Sequence, residues 1–163
     1  MSNVLQKDFE HTLNGLSAQE KARLQDSTIL ITGCGGFLGY YFMHFFNAEA
    51  ETLGVKKVIA LDNFMLGYPK WIEKLEKNPL FDIQKFDIIK DNIADINGAD
   101  KADFIIHMAS IASPMFYRKY PIETLDANIW GLRSLLDWIG SQSESGPVDH
   151  AAQLDQVGVG RAR

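Results

Sequence analysis

Glycine residues cluster where a short apolar run gives way to a longer one. The loop Gly33-Cys34-Gly35-Gly36-Phe37-Leu38-Gly39 follows Thr28–Thr32, which reads as a buried strand, and opens a helical pattern over 37–53. Glycine allows a sharp turn and lets backbone approach a pyrophosphate closely. The N-terminus of the following helix offers N–H groups and partial positive charge to phosphates. The spacing therefore predicts a binding site for the diphosphate of a dinucleotide.

An acidic residue stands where such a site needs one. Asp62 ends the second predicted strand, 57–61, and follows Gly39 by 23 residues. A carboxylate there accepts hydrogen bonds from an adenosine ribose diol and repels a 2′-phosphate, so we expect NAD rather than NADP. Asp87, after the third predicted strand, is either a partner for the adenine amino group or a helix N-cap, and both roles are compatible. Cys34 is either a thiol activated by the helix or a small residue tolerated in the turn.

Strand and helix patterns alternate along residues 27–140. Further strands are predicted at 81–86 and 102–107, and helices at 69–77, 121–139 and, weakly, 90–97. The order βαβαβ(α)βα predicts an α/β fold, a Rossmann-type doubly wound parallel sheet with helices on both faces. In the last long helix, one apolar face is expected to comprise Ile122, Leu125, Ile129, Leu132, Leu136 and Ile139.

Three segments follow from these patterns. Residues 1–26 form a predicted N-terminal helical extension, with a capping box at Ser17 and Glu20 that starts a helix over about 18–25. Residues 27–140 form a partial NAD-binding domain. Residues 141–163 lack periodicity, and Val157–Gly160 is too short and glycine-rich for the fifth strand that a doubly wound sheet requires. We expect a disordered or non-native tail and a fold whose C-terminal half is missing.

Composition restricts the class of partner. The 163 residues carry a formal net charge of −5, which argues against nucleic acid or an anionic membrane as the main partner. No apolar run reaches the ~18 residues of a membrane span, and the N-terminus lacks the pattern of a signal peptide. The single cysteine excludes an internal disulfide. We expect a cytoplasmic location and assign no metal ligand.

Together these residues resemble the extended short-chain dehydrogenase/reductases, the NAD-dependent epimerase/dehydratase family. Thr32–Gly39 is similar to the TGxxGFxG fingerprint, Leu61–Phe64 to the end of the second strand, and His107–Ser110 to the HxAA/HxAS element. Residues 107–139 resemble the UDP-glucuronate decarboxylases most. The 4,6-dehydratases usually differ after the HxAA element and are the second alternative, with the 4-epimerases.

The resemblance implies roles for individual residues. Cofactor contacts are implied for Gly33, Gly36, Phe37 and Leu38 at the pyrophosphate, Asp62 and Asn63 at the ribose, Asp87 and Ile88 at the adenine, Met108, Ala109 and Ser110 towards the nicotinamide ribose, and Asn128 near the active site. Contacts with a nucleotide-sugar substrate are implied for Tyr117, Arg118 and Lys119, with a solvated basic loop as the alternative. Glu123 stands where the decarboxylases commonly have a basic residue, which weakens UDP-glucuronate as the substrate. A homodimer is implied for the full-length enzyme.

The catalytic pair of the family is absent from this sequence. The family uses a tyrosine base in a Tyr-x-x-x-Lys pair, which a helix places on one face. None of the tyrosines here is followed four residues later by lysine: 40, 41, 68, 117 and 120. We therefore assign no catalytic residue. The remaining hypotheses are a fragment of a nucleotide-sugar enzyme, a free-standing NAD-binding module, and a truncated relic with an unstable sheet edge.

Overall fold

A parallel sheet forms the centre of the molecule in the computed structural model, which describes residues 3–144 and 159–161. Its strands are β1 (Thr28–Thr32), β2 (Lys57–Asp62), β3 (Phe81–Lys85), β4 (Phe104–His107) and β5 (Val159–Arg161). The spatial order is β3-β2-β1-β4-β5. Strands β1 to β4 are parallel, as the alternating sequence pattern predicts. The Rossmann-type fold class is thus confirmed.

The helices cross between these strands and cover both faces. They are α1 (Asn3–Gly15), α2 (Ala18–Leu24), α3 (Phe37–Leu53), α4 (Ile72–Leu75), α5 (Pro114–Lys119), α6 (Pro121–Asp126) and α7 (Leu132–Glu144). Short 3₁₀ turns at Ile93–Asp95 and Ala99–Lys101 replace the weak helix predicted over 90–97. A π-helical segment, Ala127–Gly131, joins α6 to α7. Within the described residues, no helix has both the length and the apolar character to cross a bilayer.

Side chains of β1 alternate between two cores. Ile29 and Ile31 belong to the core under α1, α3 and α4, whereas Leu30 belongs to the core under the 3₁₀ turns and α7. All five residues of β1 are buried, which is typical of a central strand covered on both faces. The strand is thereby packed on both faces, so the position at which the glycine loop begins is fixed by the two cores.

The N-terminal extension contains a helix that the sequence did not predict, α1, in addition to the predicted α2. Phe9 of α1 is 1% exposed and its ring makes edge contacts with Tyr41 and Phe45 of α3. The Thr12 hydroxyl lies 3.0 Å from the Tyr41 hydroxyl. The extension therefore packs on the outer face of α3 and contributes to the first core. Scattered apolar positions concealed this helix in a largely polar segment.

Two expectations for the C-terminal region were wrong, one of them only in part. The predicted apolar face of the 121–139 helix is only partly correct: Ile139 is buried and Leu136 half-buried, but Ile122, Leu125, Ile129 and Leu132 are exposed, and Ala127, Gly131 and Leu135 are buried in their place. The small residues Ala127 and Gly131 are buried because the helix comes close to Ile88, which follows β3. Val159–Arg161 does form a strand, antiparallel to β4, since the outer edge of β4 offers backbone groups to any extended chain. The predicted tail otherwise lies outside the described residues, apart from 141–144, which extend α7.

Candidate functional site

A cavity of about 240 Å³ opens at the carboxyl ends of the parallel strands. The chain runs from β1 outward to β2 and β3 and then returns to β4 on the other side of β1. This reversal creates a crevice between the loops after β1 and β4, which is where open α/β sheets bind ligands. Register places Thr32 beside both Leu61 and His107, so the three strand ends meet at the cavity.

The glycine loop forms one wall of this cavity, and its close contacts explain its glycines. Gly33 has a φ of +75°, and a Cβ there would lie 2.7 Å from the amide nitrogen of Ala109. A Cβ on Gly39 would lie 2.3 Å from the carbonyl oxygen of Cys34, so any side chain would separate the helix from the loop. Gly36 is the N-cap of α3 and has no side-chain cap. Gly36 lines the cavity, so α3 begins at the cavity wall, and no side chain caps its first turn.

The Asp62 carboxylate contacts two loops at once. Its Oδ2 accepts a hydrogen bond from the Gly35 N–H at 2.9 Å, and its Oδ1 accepts one from the Phe64 N–H at 2.7 Å. The N–H groups of Gly33 and Cys34 donate to the Leu61 carbonyl oxygen, at 2.8 and 3.1 Å. The end of β2 is thus bonded to the glycine loop, and the carboxylate lies at the cavity.

Cys34 lies in this loop but is not an activated thiol. The side chain is fully buried, and burial raises the thiol pKa, with the charge of Asp62 as a second cause. Of the two readings of this residue, the structure supports a small neutral side chain that fits a tight turn.

Asp87 and its neighbours form the wall beyond Asp62. Asp87 Oδ1 accepts from the Ile89 N–H at 3.1 Å, and its Oδ2 lies 3.5 Å from Lys90 Nζ. The Asn63 amide nitrogen also lies 3.5 Å from Asp87 Oδ2. Asp87 thus caps a turn and not a helix, since the next helical turn, Ile93–Asp95, is capped by Asn92, and the Asp87 carboxylate lines the cavity.

Ile88 is buried and held in position by the last helical segment. A Cβ on Gly131 would lie 2.9 Å from Ile88 Cγ2, so the helix reaches this residue only because position 131 is a glycine. The π-helical segment Ala127–Gly131 makes this approach. Ile88 therefore presents a fixed apolar surface to the cavity.

The wall after β4 is fixed by a buried threonine. Thr32 Oγ1 accepts hydrogen bonds from the N–H groups of Met108 and Ala109, both at 3.2 Å, and lies 2.7 Å from His107 Nδ1. With two donors already bound, the hydroxyl donates its own proton to Nδ1, so the imidazole carries its proton on Nε2. Burial lowers the His107 pKa, which favours this neutral form. The segment after β4 is thereby bonded to the end of β1.

Most predicted cofactor residues line the cavity, and some do not. The lining includes Gly33, Gly36, Asp62, Asn63, Asp87, Ile88, Met108, Ala109 and Ser110. Phe37 and Leu38 have exposed side chains and lie outside the lining. Asn128 is exposed and donates to the Thr124 carbonyl oxygen at 2.8 Å, and the structure does not bring it to the cavity. Tyr117, Arg118 and Lys119 lie on α5, also outside the lining.

Several lining residues were missed by the sequence analysis. One group continues directly from Asp62 and Asn63, and the others come from later segments: Phe64, Met65, Leu66 and Gly67, then Lys90, Ile111 and Asp126. The first group follows from its position after the strand end. Asp126 lines the cavity because α6 lies beside it, for which the sequence holds no local signal, and Glu123, which the resemblance had singled out, lines the cavity from the same helix. Among the described residues, no cluster of His, Cys, Asp or Glu has the arrangement of a metal site.

Matches to known proteins agree with this geometry. Residues 29–150 match the family model described as the NAD dependent epimerase/dehydratase family. Among curated proteins, UDP-glucuronic acid decarboxylase 1 of Arabidopsis thaliana is 28% identical over 108 residues, which are 66% of this chain and 22% of that protein. UDP-glucuronic acid decarboxylase 1 of Danio rerio is 30% identical over 66% of this chain and 23% of that protein. The match thus spans about a quarter of the length of these relatives.

Solved structures share the fold at lower identity. A dTDP-glucose 4,6-dehydratase from Bacillus anthracis, in complex with NAD, superposes with a TM-score of 0.57 at 22% identity, covering 71% of this chain and 34% of that one. An epimerase from Methanothermobacter thermautotrophicus gives a TM-score of 0.57 at 21% identity, covering 78% and 35%. With the family match covering most of the chain and the strand-end cavity in place, this chain belongs to the NAD-dependent epimerase/dehydratase family.

Proposed function

We propose that this chain is the NAD-binding portion of a nucleotide-sugar-modifying enzyme. The observation that carries the proposal is the carboxylate of Asp62 at a cavity bounded by a glycine loop and the N-terminus of α3. Backbone N–H groups and the helix dipole bind a diphosphate, and the carboxylate accepts hydrogen bonds from a ribose diol. Membership of the NAD-dependent epimerase/dehydratase family supports the same cofactor, NAD.

The residues present fit a dinucleotide along the whole cavity. The glycine loop offers close backbone approach, because a Cβ at position 33 would fill the space beside Ala109. Asp87 and the buried Ile88 provide a carboxylate and an apolar surface for an adenine ring. Met108 and Ala109, bonded to Thr32, form the wall on the other side of the crevice. When bound, NAD would act as the acceptor for a hydride from the sugar carbon that bears the oxidised hydroxyl, and these residues would hold and orient the cofactor.

Among reaction branches, we propose a UDP-glucuronate decarboxylase-like enzyme first. Support comes from the curated relatives, which carry that name. A dTDP- or CDP-glucose 4,6-dehydratase or a sugar-nucleotide 4-epimerase is the second candidate. It is favoured by Glu123, which lines the cavity where the decarboxylases commonly carry a basic residue suited to an acidic sugar.

A candidate of another class is an NAD-binding module without catalysis, or a truncated relic. It is favoured by the lack of any Tyr-x-x-x-Lys pair in the sequence. The coding sequence downstream separates these candidates. A following strand, a Ser or Thr and a Tyr-x-x-x-Lys pair in the same frame support the enzyme, and their absence supports the module or relic.

Calorimetric titration with NAD and NADP tests the cofactor assignment. We expect NAD to bind more tightly than NADP, since Asp62 repels a 2′-phosphate. Asp62→Ala should weaken NAD binding by about 1–3 kcal/mol through loss of a charged acceptor. Equal affinity of the unaltered protein for NAD and NADP, or no binding of either, would contradict the proposal.

A further inference from the structure

The Asp62 carboxylate accepts backbone hydrogen bonds from two segments that line the cavity. One oxygen accepts the Gly35 N–H at 2.9 Å and the other accepts the Phe64 N–H at 2.7 Å. Gly35 belongs to the glycine loop, and Phe64 belongs to the segment 63–67, which we call the lip. Both segments line the cavity. The carboxylate thus joins these two segments, in addition to the bonds from the Gly33 and Cys34 N–H groups to the Leu61 carbonyl oxygen.

The lip has a conformation that needs such a restraint. Phe64 has a φ of +53°, in the left-handed region that aromatic residues rarely adopt. Its N–H is bonded to Asp62, and the next N–H, that of Met65, donates to Asn63 Oδ1 at 3.0 Å. Gly67 follows with a φ of +103° and open space around a built Cβ. The lip is therefore held at its start by two side-chain acceptors, and at its end the Gly67 N–H donates to the Phe64 carbonyl oxygen at 2.9 Å.

Packing at Gly35 brings the same three groups together. A Cβ on Gly35 would lie 3.1 Å from Asp62 Oδ2 and 3.3 Å from the Phe64 ring. The loop, the carboxylate and the lip are thus in contact, with no room for a side chain between them. Loss of the carboxylate would remove the hydrogen bonds that tie Gly35 and Phe64 to the same side chain, and only the bonds from Gly33 and Cys34 to the Leu61 carbonyl oxygen would remain.

The acceptor count allows this carboxylate a second role at the same time. An ionised carboxylate has about four acceptor positions, of which the backbone occupies two. Two remain for outside donors, which matches the two hydroxyls of a ribose. We propose that Asp62 is a positioning residue as well as a ribose ligand: it fixes the glycine loop and the lip in the binding arrangement before the cofactor arrives. The inference rests on the proposed function, because the ligand is a dinucleotide.

Asp62→Asn separates the two roles chemically. The amide has the size of the carboxylate but replaces one oxygen by an NH₂ group. That group then faces either the Gly35 N–H or the Phe64 N–H, donor against donor, so one of the two bonds is lost whichever way the amide is turned. The one oxygen that remains in the amide can still accept a hydrogen bond from a ribose hydroxyl.

The test compares ADP with 2′,3′-dideoxy-ADP by calorimetry on the unaltered chain, on Asp62→Asn and on the charge-matched control Asp8→Asn. Asp8 is exposed on α1. Both probes carry adenine and a diphosphate, and only ADP carries the diol. We expect Asp62→Asn to weaken dideoxy-ADP binding about tenfold through the lost backbone bond, and ADP binding further, with no change in the control. Unchanged dideoxy-ADP affinity in Asp62→Asn would mean that Asp62 acts through the diol alone, and it would overturn the inference.

Amide hydrogen exchange on the unaltered, ligand-free protein gives a measurement that needs no variant. We expect the amides of Gly35 and Phe64 to exchange at least about tenfold more slowly than in an unstructured peptide, because both are bonded to the carboxylate. Exchange at the unstructured rate would refute the positioning role even if ADP binds. If the unaltered protein binds neither ADP nor NAD, the proposed function itself fails, and the inference fails with it.

Discussion

Replacing Thr32 by valine tests whether the hydroxyl holds the wall after β4. Valine has nearly the same shape as threonine, so the packing of this 1%-exposed side chain is preserved. The hydroxyl is bonded to His107 Nδ1 at 2.7 Å and to the N–H groups of Met108 and Ala109 at 3.2 Å. Met108 keeps a second acceptor, the Thr32 carbonyl oxygen at 3.0 Å. The substitution therefore removes two bonds that have no replacement, those of His107 and Ala109.

The magnitude follows from these two bonds. Each lost hydrogen bond in a half-buried setting costs about 1 kcal/mol, so Thr32→Val should lower the free energy of unfolding by about 2 kcal/mol. For a chain of this size, that corresponds to a fall in Tm of about 4–8 °C. Urea and thermal unfolding followed by circular dichroism measure both quantities.

Thr28→Val provides the matched control. Thr28 is a buried threonine on the same strand, 8% exposed, and the structure shows no hydrogen bond from its hydroxyl. Its replacement should change stability by less than about 0.5 kcal/mol. Equal losses in the two variants would refute the reasoning, because the effect would then belong to strand β1 in general and not to the bonds of Thr32.

Two further predictions concern the loop and the imidazole. Gly39→Ala should destabilise the fold by about 3 kcal/mol or more and abolish NAD binding, because its Cβ would lie 2.3 Å from the Cys34 carbonyl oxygen. The control is Gly140→Ala, which has open space at its Cβ and should be neutral or slightly stabilising. Thermal unfolding of both variants measures the difference. A similar Tm for both variants would contradict the close contact. For His107, the folded-state pKa lies below its usual value because of burial, so the unfolded chain binds its proton first as pH falls. The free energy of unfolding should therefore decrease as pH falls below about 6.5. Urea unfolding from pH 7.5 to 5 should show a smaller decrease in His107→Gln than in the unaltered protein. An identical decrease in the two proteins would exclude His107 as the source.

The strands and the long helix α3 could be predicted because their patterns are local. Apolar β-branched runs predicted β1 and β2, and glycines at both ends marked the start and end of α3. The binding wall at Asp62 was predictable for the same reason, since carboxyl ends of parallel strands meet at one edge.

Other features depend on contacts between distant segments. Burial of Ala127 and Gly131, in place of the larger apolar residues of the same helix, results from the close approach to Ile88, which no local pattern encodes. Helix α1 owes its place to one aromatic residue, Phe9, that packs against α3. Strand β5 exists because the edge of β4 accepts an extended partner, which strand propensity alone does not reveal.

The two ends of the sheet make distinct contacts, and this has a practical consequence. At the end opposite the cavity, the Thr28 N–H donates to Asp103 Oδ2 at 2.9 Å, and the Asp103 N–H donates to the Thr28 carbonyl oxygen at 2.8 Å. The Lys56 side chain, exposed at the same end, forms a surface ion pair with Asp26. A fluorophore or an immobilisation tether attached at position 56 therefore leaves the crevice facing solution, so the proposed dinucleotide binding could be measured on an immobilised chain.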